Sequence, residues 1–271
     1  SLHRRLFLCF FFSLFHDLPE LHSFPTRRSS DLRPITKAVY QIRRVADIPS
    51  VIRQAFEIAR SGKPGPVLVD FPKDVQQQYA VNTHGDYIQV DYNVPAPSTP
   101  AMTLHGAALD QVCRMIAQAR RPIIYAGGGV ISANAADMLQ AFAEKTNIPV
   151  TTTIMGLGAM PPDHRLHLDI LGMHGTKYAN DAINEADLVL AMGVRFDDRV
   201  TGKVDAFIKN ARIVHIDIDP AEINKNKPVH ASIVGDVGVV LKALLERVQP
   251  GETAEWLAAV EAMKKASPLD V

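Results

Sequence analysis

Six short stretches place reactive or ligand-approaching residues where turns should follow strands. "AGGGV" puts Gly127, Gly128 and Gly129 directly after an apolar run, so that backbone amides could approach an anionic diphosphate with no side chain in the way. It lacks the third spaced glycine of the dinucleotide fingerprint and also reads as a tight strand-to-helix turn. "TTTIMGLGAMPPDH" (151–164) and "LGMHGT" (171–176) mix glycines and polar groups with methionines. Methionine adapts to flat aromatic surfaces but serves as readily for core packing. "MGVRFDDRVTG" (192–202) carries four charges and two glycines, a pattern that solvated loops share. In "VHIDIDP", Asp217 and Asp219 end an otherwise apolar strand, where a carboxylate needs partners, and Pro220 breaks the run; the sixth stretch is Gly235-Asp236-Val237.

The elements that must position these turns follow from hydrophobic patterning. A helix near His105–Ala119 precedes strand Pro122–Tyr125, and a helix near Ala133–Lys145 precedes strand Ile148–Thr153. A helix near Lys177–Ala186 leads to "DLVLAMG", then to "ARIVHIDID", "ASIVGD" and a helix near Val237–Arg247. Short, near-continuous apolar strands alternating with helices predict an α/β fold, a doubly wound parallel sheet with helices on both faces. All six stretches then fall at the carboxyl ends of strands, where such sheets take their ligands. A ligand reaching so many turns must be long, and a dinucleotide fits.

Composition narrows the partners. Lys+Arg and Asp+Glu are 29 each, a formal net charge of zero, which gives no reason to expect nucleic acid and favours small molecules. The two cysteines, Cys9 and Cys113, have neither metal nor redox spacing and suit a reducing compartment, here taken as cytoplasmic. No metal site is expected. The apolar run "RRLFLCFFFSLF" near the amino end is too short to span a bilayer and is followed by no small-residue cleavage site. "LHSFPTRRSSDL" (21–32) resembles a conceptual translation of sequencing-adapter DNA, so residues 1–32 are read as a non-native or disordered leader. Helix Val45–Ala59 and strand Gly65–Pro72 follow it; residues 81–100, rich in proline, read as a linker.

"GKPGPVLVDFPKDVQQQ", "AGGGV", "TTTIMGLGAMPPDH", "LGMHGTKYAND", "MGVRFDDRVTGK" and "VHIDIDPAEINKNK" resemble the large catalytic subunit of the acetolactate (acetohydroxyacid) synthase family of thiamine-diphosphate enzymes. The resemblance runs from about residue 33 to 248. It implies that 33–80 are the carboxyl-terminal end of a pyrimidine-binding domain, 101–248 a central FAD-binding domain, and 249–271 the start of a tether to a diphosphate-binding domain. It implies a fragment, inactive alone, whose strand Gly65–Pro72 has lost its neighbours. The parent activity would be decarboxylation of pyruvate and condensation of the two-carbon unit with pyruvate or 2-ketobutyrate, toward valine, leucine and isoleucine. Thiamine diphosphate and Mg2+ would serve the parent, their motifs being absent here, and FAD would be mainly structural.

Carried over residue by residue, the resemblance gives Gly127, Gly128 and Gly129 to the FAD diphosphate and ribose. It gives Thr153, Ile154, Met155, Leu171, Gly172, Met173 and His174 to the flavin end, and Gly193 and Arg195 to the length of the cofactor. Asp217 and Ile218 would lie at the adenine side, closed by Asp236 and Val237, while Asp219 would cap the next turn. Arg199 would receive the second ketoacid's carboxylate, with Asp198 holding it in place. A homodimer or homotetramer and a small regulatory subunit are the implied partners. The rival readings are another FAD-holding enzyme of the superfamily, such as glyoxylate carboligase or pyruvate oxidase, and a non-catalytic dinucleotide-binding module.

Overall fold

The computed structural model describes residues 32–79 and 105–268 and the backbone of Leu8–Phe12. The linker 81–100, most of the adapter-like stretch and the last three residues lie outside the described residues. The chain divides into two units, Ser1–Ala101 and Met102–Val271.

In the first unit, β1 (Leu8–Phe12), β2 (Ala38–Gln41) and β3 (Val67–Phe71) form a parallel sheet in the order β1-β3-β2. Helix α1 (Ile48–Arg60), opened by Pro49 in its first turn, buries Ala55 and Ala59 beside Val67 and Val69, and α2 (Lys73–Gln76) follows β3. The sequence reading set residues 1–32 aside and left β3 without neighbours. Instead β3 is central: Leu8–Phe12 pairs with Val67–Phe71 and Ala38–Gln41 pairs with Val67–Asp70. The physical reason is the unpaired donors and acceptors of a strand edge, which an apolar five-residue run can satisfy in register.

In the second unit, α3 (Gly106–Gln118) leads into β4 (Pro122–Ala126), followed by α4 (Gly128–Ser132), α5 (Ala136–Thr146) and β5 (Val150–Thr152). Then come β6 (His167–Ile170), α6 (Lys177–Glu185), β7 (Leu188–Met192), α7 (Asp198–Thr201) and β8 (Arg212–Asp217). β9 (Ala231–Val234), α8 (Val237–Leu245) and α9 (Ala254–Ala266) close the unit. The six strands are all parallel, in the order β6-β5-β4-β7-β8-β9. The chain thus winds outward from β4 in one direction and from β7 in the other, and the winding reverses between them.

Successive strand residues point to opposite faces, which makes two cores. Ile124, Ala126, Leu190, Met192, Val214 and Ile216 pack with α3, α5 and α8; Ile123, Tyr125, Val189, Ala191 and Ile213 pack with α6 and α9. Continuous burial of β4 and β7 explains why they read as unbroken apolar runs. The Asp187 carboxylate accepts hydrogen bonds from the Arg120 and Arg121 amides at 2.8 and 3.0 Å and ties the α3–β4 turn to the start of β7.

Residues 249–271, expected to begin a tether, include a helix packed on this unit. Trp256 and Val260 of α9 are buried in the second core, and the Trp256 indole N–H donates to the Pro122 carbonyl at 2.9 Å. Its apolar positions, three and four apart, belong to a packed helix face.

Two buried histidines are held neutral. His215, fully buried in β8, donates from Nε2 to the Val194 carbonyl at 2.9 Å and lies edge-on to Phe196. His167 is buried in β6, 3.9 Å from Asp169. Burial pushes both below the usual imidazole range, against the attraction of neighbouring carboxylates. Tyr178, hydrogen-bonded to Asp169, is pushed up to about 12 by burial first and by that bond second.

Two outcomes follow. Trp256→Phe should cost about 1 kcal/mol through the lost hydrogen bond, and Trp256→Ala about 3–5 kcal/mol through the cavity, read by urea unfolding of the full chain; equal, negligible losses would contradict the docking of α9. Below an imidazole pKa of about 6.5 the unfolded chain takes up protons that folded His167 and His215 refuse. Their contribution is therefore complete above that pH and lost as pH falls. The urea midpoint should drop between about pH 7.5 and 5.5, less steeply in His167→Gln; a midpoint flat or rising on acidification would refute it.

Candidate functional site at the carboxyl edge of the six-stranded sheet

The winding reverses between β4 and β7, and the turns at their carboxyl ends, Gly127–Gly129 and Gly193, mark the switch point at which such sheets take their ligands. The two turns meet backbone to backbone. A Cβ on Gly127 would come within 2.2 Å of the Gly193 carbonyl, and one on Gly129 within 2.6 Å of the Gly193 Cα; Gly193 itself has φ +61°. These glycines are required by each other. The Gly127 amide donates to the Met192 carbonyl at 2.9 Å and the Gly129 amide to the Gly193 carbonyl at 3.1 Å. Two of the three amides expected to approach a diphosphate are therefore engaged within the protein. Gly128 differs: it is half-buried, and an added Cβ would meet no part of Gly193 but would press on the Met155 side chain, at 3.2 Å.

The loop after β5 is pinned against this switch point. Thr153 donates its amide to the Ala126 carbonyl and caps the 3-10 turn Ile154–Gly156 by accepting from the Gly156 amide, at 2.9 and 3.0 Å. Its tip holds Ile154 and Met155 exposed, at 67% and 73%. Met173, in the loop after β6, is 69% exposed, and His174 beside it is exposed as well. Such large apolar groups grouped at one sheet edge offer a surface for a flat apolar ligand. Leu171, expected beside them, has its side chain in the second core. Gly172, at φ +109°, is clasped by Asn180, which accepts from its amide at 3.2 Å and donates to its carbonyl at 3.1 Å.

The loop after β7 joins this group. The Met173 amide donates to the Arg199 carbonyl at 3.1 Å, so "LGMHGT" and "FDDRV" share a backbone contact. Arg195 and Arg199 are exposed. Asp198, expected to hold Arg199, lies 4.0 Å from it with both side chains more than three-quarters exposed, a spacing and exposure at which an ion pair fixes little. The neighbouring Asp197 is the fastening residue: it caps α7 by accepting from the Arg199 amide and pairs with Arg195, each at 3.2 Å. Sequence reasoning passed over it because adjacent aspartates are indistinguishable until the turn is built.

At the β8 end, Asp217 is buried and accepts from the Asp219 amide at 2.8 Å, while the Gly235 amide donates to the Asp217 carbonyl at 2.7 Å and the Gly193 amide to that of Ile216 at 2.8 Å. Asp219 caps the turn Pro220–Glu222 by accepting from the Ala221 amide. Asp236 caps α8, accepting from the Gly238 and Val239 amides at 2.9 and 3.2 Å, and Val237 is buried in the first core. Asp236 thus shapes the edge through its carboxylate and Val237 through its burial. A cleft of about 350 Å³ runs from Arg195 to Lys225, lined also by Phe196, Asp198, Thr201 and Glu222. Glu222, buried and paired with Lys225 at 3.1 Å, escaped the sequence reading because its position after a proline turn looks solvated. Among the described residues no group of histidine, cysteine or acidic side chains is arranged to hold a metal, and no helix is long and apolar enough to cross a membrane.

Comparison with known proteins gives this edge a family. Residues 109–244, half of the chain, match the family described as thiamine pyrophosphate enzyme, central domain. Acetolactate synthase 1, chloroplastic, of Oryza sativa subsp. japonica is 50% identical over 244 residues, 88% of this chain and 37% of that protein. The acetolactate synthase large subunit of Parasynechococcus marenigrum (strain WH8102) is 46% identical over 88% of this chain and 39% of its own length, and the Arabidopsis thaliana acetolactate synthase, chloroplastic, 50% identical over 78% and 31%. The chain thus spans little more than a third of the curated relatives it matches. With a parallel six-stranded sheet and the matched segment covering its central strands, this chain belongs to the thiamine pyrophosphate enzyme family, contributes that family's central domain, and is homologous to the acetolactate synthase large subunit.

Proposed function

We propose that this chain is the FAD-holding portion of an acetolactate synthase large subunit, the whole enzyme decarboxylating pyruvate and joining the two-carbon unit to a second 2-ketoacid. The observation that carries the reading is the switch point at the winding reversal, closed by glycine on glycine yet open at Gly128, with Ile154, Met155 and Met173 exposed on one side and Asp217 on the other. The residues fit a dinucleotide. Gly128 leaves room for a diphosphate, Arg195 offers it a guanidinium, Asp217 offers an acceptor at the adenine side, and Ile154, Met155, Met173 and His174 border the ring system. Thr153, Gly172, Asp236 and Val237 keep these groups in place through caps and buried backbone. Thiamine pyrophosphate with Mg2+ would supply the decarboxylation chemistry in the whole enzyme, and neither group's binding motif is found in these residues. Arg199, exposed beside the Met173 loop, receives the carboxylate of the second ketoacid. The chain alone does not turn over pyruvate, and subunit pairing and a regulatory subunit belong to the whole enzyme.

The direct test is to incubate the full 271-residue chain with FAD, desalt it, and record flavin absorbance and fluorescence. Retained flavin is expected, and Gly128→Leu should release it with the far-UV circular dichroism unchanged, because a side chain there presses on Met155 without striking Gly193. A folded chain that retains no flavin would sink the cofactor reading. In a full-length relative, the residue matching Arg199 changed to alanine should raise KM for the second ketoacid by about tenfold to a hundredfold, with flavin content intact; loss of flavin first would show that the arginine serves the cofactor instead.

A further inference from the structure

The segment from Gly193 to Ile208 has a shape that its own sequence does not enforce. Gly193, Phe196, Gly202 and Ile208 all have left-handed backbones, with φ of +61°, +48°, +52° and +50°, and its only helix is the four residues of α7. For Phe196 and Ile208 that conformation is costly and persists only where the surroundings over-determine it. Part of the hold is burial: Phe196, Phe207 and Ile208 lie in the second core. Beside the Asp197 cap and the bond from the Met173 amide, a further part comes from two adjacent side chains on the connection between β8 and β9. Asn226 donates from Nδ2 to the carbonyls of Arg195 at 2.9 Å and Phe196 at 3.2 Å. Lys227 donates from Nζ to the carbonyls of Val204 at 2.8 Å and Phe207 at 2.6 Å. The four bonds fall on both sides of α7, so Asp197, Asp198 and Arg199 are carried between two fixed points.

The clamp is itself anchored. Asn224, at φ +60°, accepts from the Val229 amide at 2.8 Å; His230 donates its amide to the Ile213 carbonyl at 2.8 Å and accepts from the Ile213 amide on Nδ1 at 3.0 Å. The connection is thus bonded to β8 at its far end and begins, at Asp217 and Asp219, beside the adenine side of the switch point. We propose that Asn226 and Lys227 are positioning residues that set Arg195 and Arg199, so that one connection fixes both the cofactor's acid and the arginines of the cofactor and ketoacid. The inference rests on the reading above for what the arginines touch, though not for the clamp itself.

The experiment uses the full 271-residue chain and its variants Lys227→Met, Lys227→Arg and Asn226→Ala, followed by amide hydrogen exchange and by titration with FAD. Lys227→Met and Asn226→Ala should each speed exchange across 195–208 by about tenfold or more, with β4, β7 and β8 unchanged. Both should weaken FAD binding by about tenfold and alter the visible circular dichroism of the bound flavin. Lys227→Arg, which keeps two donors, should recover most of both signals. Unchanged exchange at 195–208, or acceleration shared equally by every strand, would overturn the clamp. A loosened segment with unaltered FAD affinity and dichroism would overturn the positioning role. If the parent chain binds no FAD while the variants still loosen 195–208, the clamp stands and the flavin reading falls. Should Lys227→Met fail to fold, Asn226→Ala carries the same test, since it removes two neutral bonds at an exposed position.

Discussion

Everything at the carboxyl edge depends on one close approach, that of the turn after β4 to the turn after β7. Gly127 and Gly129 lie against Gly193 with no room for a Cβ on any of them. Two neighbouring parallel strands whose helices go to opposite ways of winding must part at their ends, and the turns would ordinarily splay. Here the missing side chains let amide and carbonyl of the two turns bond directly. The loops after β5 and β7 are bonded to neighbouring strand ends through the carbonyls of Ala126 and Ile216, and the loop after β6 to the carbonyl of Arg199.

Polar side chains then complete what the glycines begin. Thr153, Asn180, Asp197, Asp219 and Asp236 each bind backbone amides at the start of a turn or helix, and none needs a charge partner to do so. Short side-chain acceptors at such positions satisfy donors that the helix cannot. The result is an edge on which irregular segments are as well specified as the strands. The exposed apolar groups, Ile154, Met155 and Met173, are displayed from it, while Arg195, exposed as well, is paired with Asp197.

Much of this was legible in the sequence, for a physical reason. Strands buried on both faces are written as unbroken apolar runs, so β4, β7 and β8 stood out, and with them the turns that follow. β6 did not, because His167 and Asp169 interrupt it, as an edge strand allows. β2 was too short to separate from its surroundings, and β1 belongs to a stretch whose origin looked foreign. α9 follows a proline and a glycine and reads as a departure from the domain; only Trp256 seated against β4 shows otherwise. In the site, the turns were found but not the purposes of their members. Gly129 touches Gly193, and Asn226 touches Phe196, across long stretches of chain, and no local pattern encodes such meetings. The cap made by Asp197, one place before the aspartate expected to hold Arg199, was missed for the same reason.

The seat of Trp256 has a mechanical meaning. It grips the carbonyl of Pro122, at the amino end of the strand whose carboxyl end leads to Gly127. A parallel strand bonded on both sides resists extension along its axis far better than bending out of its sheet. The bond therefore joins α9 to the end of β4 opposite to Gly127. A displacement of α9 is thus passed to the strand that leads to Gly127–Gly129 without passing through any loop.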